Sequence, residues 1–294
     1  MDLFDTFRAL PGLYIGAALV FGLLVGSFLN VVIHRLPKMM EADWRQQCLE
    51  YLQPEEAEKE ATKPQPRYSL VVPRSACPAC GHKITAIENI PIASYVFLGG
   101  KCAACRASIS IRYPVVEALT GALTAFVAWH FGVTWTAAFA VLFGWAMVAL
   151  AFIDADTTLL PDDITLPLLW LGLLVNVGGL FTPVSSAIIG AVAGYLVLWS
   201  VFWAFKLITG KEGMGYGDFK LLAAIGAWLG WQMLPLVILL SAAVGTVVGV
   251  AGIVLKGRDK GAKLPFGPYL AAAGLIALIW GAQLNAWYLG RSAA

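Results

Sequence analysis

The chain has 294 residues, of which 59% are hydrophobic and only 13% charged, with a formal net charge of +2. Soluble domains carry about 25% charged residues, so this composition excludes an ordinary water-soluble enzyme, and so small a net charge gives no argument for a nucleic-acid partner. What remains is a series of apolar spans in a lipid bilayer, an all-α polytopic membrane protein.

In chain order, the first apolar segment is 12–33. It lacks the basic start and small-residue cleavage site of a removed signal, and is expected to stay as an anchor. Seven further spans are predicted at 113–131, 134–153, 163–181, 185–207, 218–232, 234–255 and 266–289, eight in all. A membrane helix needs about 20 mostly apolar residues. Apart from His130 there is no ionisable side chain between Glu117 and Asp154, and none of the stretches Ile164–Phe205, Leu221–Leu255 and Leu264–Gly290 carries an acidic or basic residue. Breaks at Gly132-Val133-Thr134 and Thr182-Pro183 divide the two longest. Three parts follow: a first transmembrane helix (1–33), a polar loop domain (34–112) and a helical bundle (113–294).

Basic residues in short loops mark the cytoplasmic side. Eight spans put Arg35, Lys38, Lys206, Lys211, Lys256, Arg258, Lys260 and Lys263 on one side, with Arg8 and Arg291 on the other. That side is expected to be cytoplasmic and both termini outside.

Within the polar loop, Glu41 to Lys63 reads as an acidic, solvated helix with a start at Gln53-Pro54-Glu55-Glu56, broken by Pro64-Gln65-Pro66. Cys77-Pro-Ala-Cys80 follows, then 21 residues, then Cys102-Ala-Ala-Cys105. Two such knuckles match a four-cysteine zinc site. Four thiolates leave no open position, so the zinc would be structural and would supply folding free energy to a small loop domain. Two disulfides are the alternative, disfavoured where thiols are kept reduced. Cys48 is left over as an ordinary thiol.

Acidic residues beside membrane spans are costly and usually functional. Asp154, Asp156, Asp162 and Asp163 fall between the third and fourth spans, and Asp218 lies in Gly215-Tyr-Gly-Asp-Phe-Lys220. Asp162 and Asp163 follow Pro161 and suit helix capping. Asp154 ends an apolar helix, where the dipole disfavours negative charge. Asp218 follows two glycines that allow close approach. Two carboxyls in a low-dielectric site can share a proton, one activating water while the other protonates a scissile carbonyl. Asp154 and Asp218 are therefore the candidate pair. No serine–histidine or cysteine–histidine system stands out: His34 and His130 lie near opposite ends of spans, and His82 follows a knuckle.

At these residues the sequence resembles the type IV prepilin peptidases, the leader peptidase/N-methyltransferases of type IV pilus and type II secretion systems. The likeness is carried by Gly26-Ser-Phe-Leu-Asn-Val-Val-Ile-His-Arg-Leu-Pro37, the two knuckles, Arg112-Tyr-Pro-Val-Val-Glu117, Asp154 through Leu-Leu-Pro-Asp162, and Gly215-Tyr-Gly-Asp218-Phe-Lys. The resemblance implies that Asp154 and Asp218 are the catalytic pair of a Gly-x-Gly-Asp aspartyl protease. It further implies a bacterial inner-membrane enzyme that cuts the leaders of prepilins and pseudopilins at the cytoplasmic face. The new N-terminal amine is then methylated from S-adenosylmethionine, with spans 2–8 serving proteolysis and the first span and zinc loop serving methylation. Glu117 then reads either as a group for methyl transfer or amine recognition, or as an interfacial carboxylate paired with a loop cation. Asn30 reads as a functional polar group or a helix-to-helix hydrogen bond. Lys220 either biases the aspartate pair or marks the interface.

Two other classes compete. A polyprenyl-phosphate transferase would use Asp154, Asp156, Asp162 and Asp163 to hold magnesium, and an ion-coupled transporter would use Asp154 and Asp218 as relays. The first gives the cysteine loop no role, and the second is disfavoured by acids at helix ends rather than at the midplane.

Overall fold

The computed structural model describes residues 3–55, 67–256, 264–288 and 290. The expected segment Glu56–Pro66 and the basic residues Arg258, Lys260, Lys263 and Arg291 lie outside them. Among the described residues the regular structure is helical: α1 (Leu3–Ala9), α2 (Pro11–Leu52), α3 (Ala93–Phe97), α4 (Arg112–Phe131), α5 (Trp135–Thr157), α6 (Asp162–Val177), α7 (Val184–Thr209), α8 (Tyr216–Leu229), α9 (Leu234–Lys256) and α10 (Gly267–Tyr288). All eight predicted spans are helices. Six of the helices are long and apolar enough to cross a membrane, while α6 and α8, with 16 and 14 residues, are shorter. At about 1.5 Å per residue these two reach about 24 and 21 Å, less than the roughly 30 Å of hydrocarbon.

The chain divides into two compact units, residues 1–133 and 134–294. In the first, α2 runs unbroken for 42 residues through Pro37, where a span and a separate solvated helix were expected. Its length of about 63 Å carries it well past the hydrocarbon. α2 packs against α4 through small residues. A Cβ on Gly26 would sit 2.7 Å from Glu117 Cα, and one on Gly121 would sit 2.7 Å from Leu23 Cδ2. Such close backbone approach is how helices associate in lipid, where apolar burial supplies little drive. Residues 112–131 accordingly belong with the first unit.

The second unit is organised around α8. Every residue from Asp218 to Leu229 is buried except Lys220, which is half-buried. A helix apolar all round must be covered all round, and α8 packs against α6, α7 and α10. Gly190 of α7 and Gly226 of α8 meet backbone to backbone, and a Cβ on Gly194 would sit 2.7 Å from Leu222 O. Trp228 meets Phe143 and Phe181 in tilted ring contacts and donates its Nε1–H to Leu168 O at 2.8 Å. Asn176, fully buried, donates to Ala227 O and Trp228 O and accepts from the Phe181 and Thr182 N–H groups. That fills its amide and closes the α6–α7 turn onto the end of α8.

The Gly190–Gly226 contact leaves no room for a methyl group. Gly226→Ala should destabilise the protein by about 1–3 kcal/mol, the usual range for overpacking. A lowered unfolding temperature in detergent micelles checks this, and an unchanged melt contradicts the close crossing.

Candidate functional site

Asp154 lies in the last turn of α5, whose end is fixed by Thr158 in the left-handed region (φ 54°), its N–H donating to Asp154 O at 2.8 Å. Asp218 lies in the first turn of α8, three residues after the N-cap Gly215. Between them the chain passes over Gly217, where a Cβ would meet Leu160 Cβ at 2.7 Å. Only glycine at 217 lets the 158–161 segment lie so close to α8. Asp154 and Asp218 are 4% and 6% exposed, and Asp218 is within electrostatic reach of Asp154. Asp154 Oδ2 accepts the Gly267 N–H at 2.8 Å, while Asp218 Oδ1 is buried without a hydrogen-bond partner.

The other acids behave differently. Asp156, Asp162 and Asp163 are exposed. Asp162 and Asp163 occupy the first turn of α6, but its N-cap is Pro161 and no side chain caps it. They favour the positive end of the helix dipole rather than closing it as caps, because Pro161 already holds the extended cap position. Lys220 Nζ donates to both oxygens of Asp162, at 2.8 and 2.7 Å. It ties the start of α6 to α8.

In the first unit the four predicted cysteines converge. The Sγ atoms of Cys77, Cys80, Cys102 and Cys105 lie within 4.8 Å of one another. Among the described residues this is the one group of three or more His, Cys, Asp or Glu side chains placed to share a metal ion, so the four aspartates of a magnesium cluster do not gather. The knuckles repeat one geometry. The Gly81 N–H bonds Cys77 O and the Arg106 N–H bonds Cys102 O, and both donor residues have positive φ, 72° and 60°. Cys77 and Cys105 are 3.8 Å apart, close to the S···S edge of about 3.8 Å expected of a tetrahedron with Zn–S of about 2.3 Å. Backbone N–H groups of Cys80 and Ala79 pull the Cys77 thiol down to about 7, and those of Cys105 and Ala104 lower Cys102. At Cys80 the His82 N–H acts the same way, but Cys105, desolvation, Cys77 and Cys102 outweigh it and push the thiol up to about 12. Four sulfurs this close cannot all ionise without a cation among them. Cys48 is exposed and apart.

Glu117 is 9% exposed. Its Oε2 accepts the Ile92 N–H at 2.8 Å, and Ser27 also bonds the carboxylate. Ile92, just before α3, has φ 59°, a strained value for a β-branched residue. Asn30 Nδ2 donates to Tyr113 O at 3.1 Å, joining α2 to α4. Arg35, buried, donates to Ser69 O and Pro73 O. His34 Nε2 lies 3.0 Å from Lys38 Nζ, and His82 Nε2 lies 3.1 Å from Glu88 Oε1. Sequence reasoning missed Gly267, Ile92 and Arg106. The Phe-Gly-Pro run at 266–268 was the available signal for the first, and the other two carried none.

Residues 20–131 match the Bacterial Peptidase A24 N-terminal domain, and residues 141–250 match the Type IV leader peptidase family. A protein of Pseudomonas aeruginosa described as "Prepilin leader peptidase/N-methyltransferase" is 56% identical over 289 residues, 98% of each chain. Proteins of Aeromonas salmonicida and Aeromonas hydrophila with the same description are each 54% identical over 287 residues, again 98% of each chain. No solved structure matches the chain.

If the thiol cluster holds a metal, purified protein should carry about one equivalent by elemental analysis, since four thiolates complete one tetrahedral site. Cys102→Ser should lower that content and the unfolding temperature together. Full metal content in this variant would remove Cys102 from the ligand set.

Proposed function

The chain belongs to the type IV leader peptidase family, and on that footing we propose that Asp154 and Asp218 are its catalytic pair. They cleave the leader from prepilins and pseudopilins, after which the chain N-methylates the new N-terminal residue. The observation carrying this reading is the contrast among the aspartates: these two are buried and within electrostatic reach, while Asp156, Asp162 and Asp163 face solvent. Peptide hydrolysis by such a pair forms no covalent intermediate. One carboxylate takes a proton from the attacking water, and the other, protonated, gives one to the scissile carbonyl oxygen. The tetrahedral intermediate collapses when the leaving amine receives a proton from the pair. Protons at this site belong to the pair rather than to either acid. A substrate anchored by its own apolar helix brings its scissile bond to the helix ends where both acids sit. By the distribution of basic residues that side is cytoplasmic, and the membrane is the bacterial inner membrane.

The cysteine cluster fits zinc in donor type and spacing, with Cys77, Cys80, Cys102 and Cys105 as ligands. Filled by four thiolates, it stabilises the loop and takes no part in hydrolysis. S-adenosylmethionine supplies the methyl group when bound. Glu117 fits the charge of that reaction: a carboxylate can accept about four hydrogen bonds, and two neutral donors, Ile92 and Ser27, hold it in place. It is the candidate for receiving the cationic substrate amine.

Incubated with a prepilin in detergent micelles, the purified protein should remove the leader whether or not magnesium is present. Asp154→Asn and Asp218→Asn should each lower that rate by about 100- to 10,000-fold, the usual contribution of general acid–base groups. Full cleavage by either variant, read by mass spectrometry, would sink the pair. Separately, both variants should methylate a pre-cut pilin at the unsubstituted rate, with S-adenosylmethionine added. Loss of methylation in step with cleavage would mean one shared site instead of two.

A further inference from the structure

We propose that Gly267 is a positioning residue of the leader peptidase, which holds the Asp154 carboxylate in place through its backbone N–H and its lack of a side chain. The inference rests on the reading of Asp154 as a catalytic acid. Gly267 is the first residue of α10, and its N–H donates to Asp154 Oδ2 at 2.8 Å in a buried contact. The first N–H groups of a helix have no partner within the helix, so this donor is free to serve a side chain. A Cβ at position 267 would lie 2.7 Å from Asp154 Oδ2, 3.0 Å from Cγ and 3.1 Å from Cβ. No residue but glycine brings the N–H so near without displacing the acid.

The two ends of Asp154 are thus fixed by different elements. Its backbone carbonyl is held by Thr158 N–H at the end of α5, and its carboxylate by α10. Asp218 also takes a backbone hydrogen bond, from Gly215, but one of its oxygens is left over. It is 6% exposed, and its Oδ1 is buried without a partner. The protein therefore gives each acid a backbone donor and leaves one acceptor open, Asp218 Oδ1, where water or the scissile peptide can be met. The restraint governs how the reacting atoms are aligned more than how the substrate is held.

A methyl group at 267 can be accommodated by moving either α10 or the Asp154 side chain. α10 is anchored by Leu270, Ala271 and Ala273, which are 0%, 1% and 2% exposed, so the carboxylate is what yields. A displacement of about 1 Å in a reacting group costs on the order of 100-fold in rate.

The test uses the full chain in detergent micelles with a prepilin substrate, comparing Gly267→Ala, Gly281→Ala and Asp154→Asn. Gly281 lies on the same helix, and a Cβ there meets Met233 Sδ at 2.8 Å, a flexible side chain that can give way. Gly267→Ala should lower kcat by about 100-fold with KM changed far less, and should displace the pH profile of kcat, because a catalytic acid has been moved. Gly281→Ala should keep the unsubstituted kcat and pH profile. Unsubstituted kcat and pH profile in Gly267→Ala, alongside an inactive Asp154→Asn, overturn the positioning role and leave the catalytic pair intact. Equal losses in Gly267→Ala and Gly281→Ala, with no change in pH profile, also overturn it, since they make the effect one of crowding along α10. An active Asp154→Asn overturns the pair itself.

Discussion

A carboxylate buried in an apolar helical bundle costs on the order of several kcal/mol unless donors meet it or a second acid shares its proton. The second unit is arranged around two such groups. One donor comes from the start of α10 to Asp154, and the two acids lie within electrostatic reach of each other. The remaining penalty is concentrated in a single atom, Asp218 Oδ1, which no protein donor meets. A buried acceptor that no protein donor meets is where a polar reactant with a hydrogen to donate is stabilised most.

Holding that geometry requires a rigid frame, and in lipid the frame cannot come from apolar burial between helices. It comes from close backbone contact and from saturated polar groups. Gly190 and Gly226 bring α7 and α8 together, Asn176 uses its whole amide to lock the α6–α7 turn to α8, and Trp228 ties its ring nitrogen to Leu168 O. α8 is thereby surrounded by protein, which explains how a helix of 14 residues can be apolar from Leu221 to its end yet too short to span. Asp218 sits at its entry, where the N-terminal dipole favours negative charge.

Much of this was legible in the amino-acid sequence because charge in an apolar context is conspicuous. Long uncharged runs marked the helices, Cys77, Cys80, Cys102 and Cys105 marked the thiol cluster, and Asp154 and Asp218 stood out as carboxylates at the ends of apolar spans. What escaped was carried by backbone. Gly267 acts through an N–H that every residue but proline possesses, so the Phe-Gly-Pro run at 266–268 marked a special backbone position without showing which side chain it serves. Arg106 occupies a left-handed position filled in the first knuckle by Gly81, and arginine gives no hint of that conformation. The continuity of α2 through Pro37 was hidden for a related reason. Proline removes one backbone donor, but the residues around it are buried and tied by Arg35 to Ser69 and Pro73, and that packing overrides the local preference.

Glu117 and Ile92 show the same exchange between backbone and side chain in the first unit. A β-branched residue at φ 59° is strained by about 1–3 kcal/mol. A hydrogen bond to a charged acceptor contributes about 1.5–3 kcal/mol. The two are of equal size, so the Glu117 carboxylate can hold Ile92 in a conformation it would otherwise leave. The dependence also runs the other way. Without the Ile92 N–H, a carboxylate 9% exposed would lose one of its two observed donors. The strained turn leads into α3 and from there to Gly99-Gly100 and the second knuckle. The buried acid of α4 therefore helps fix where that knuckle begins, as Arg35 of α2 does for the first through Ser69 and Pro73, so both knuckles are tied to helices of their own unit.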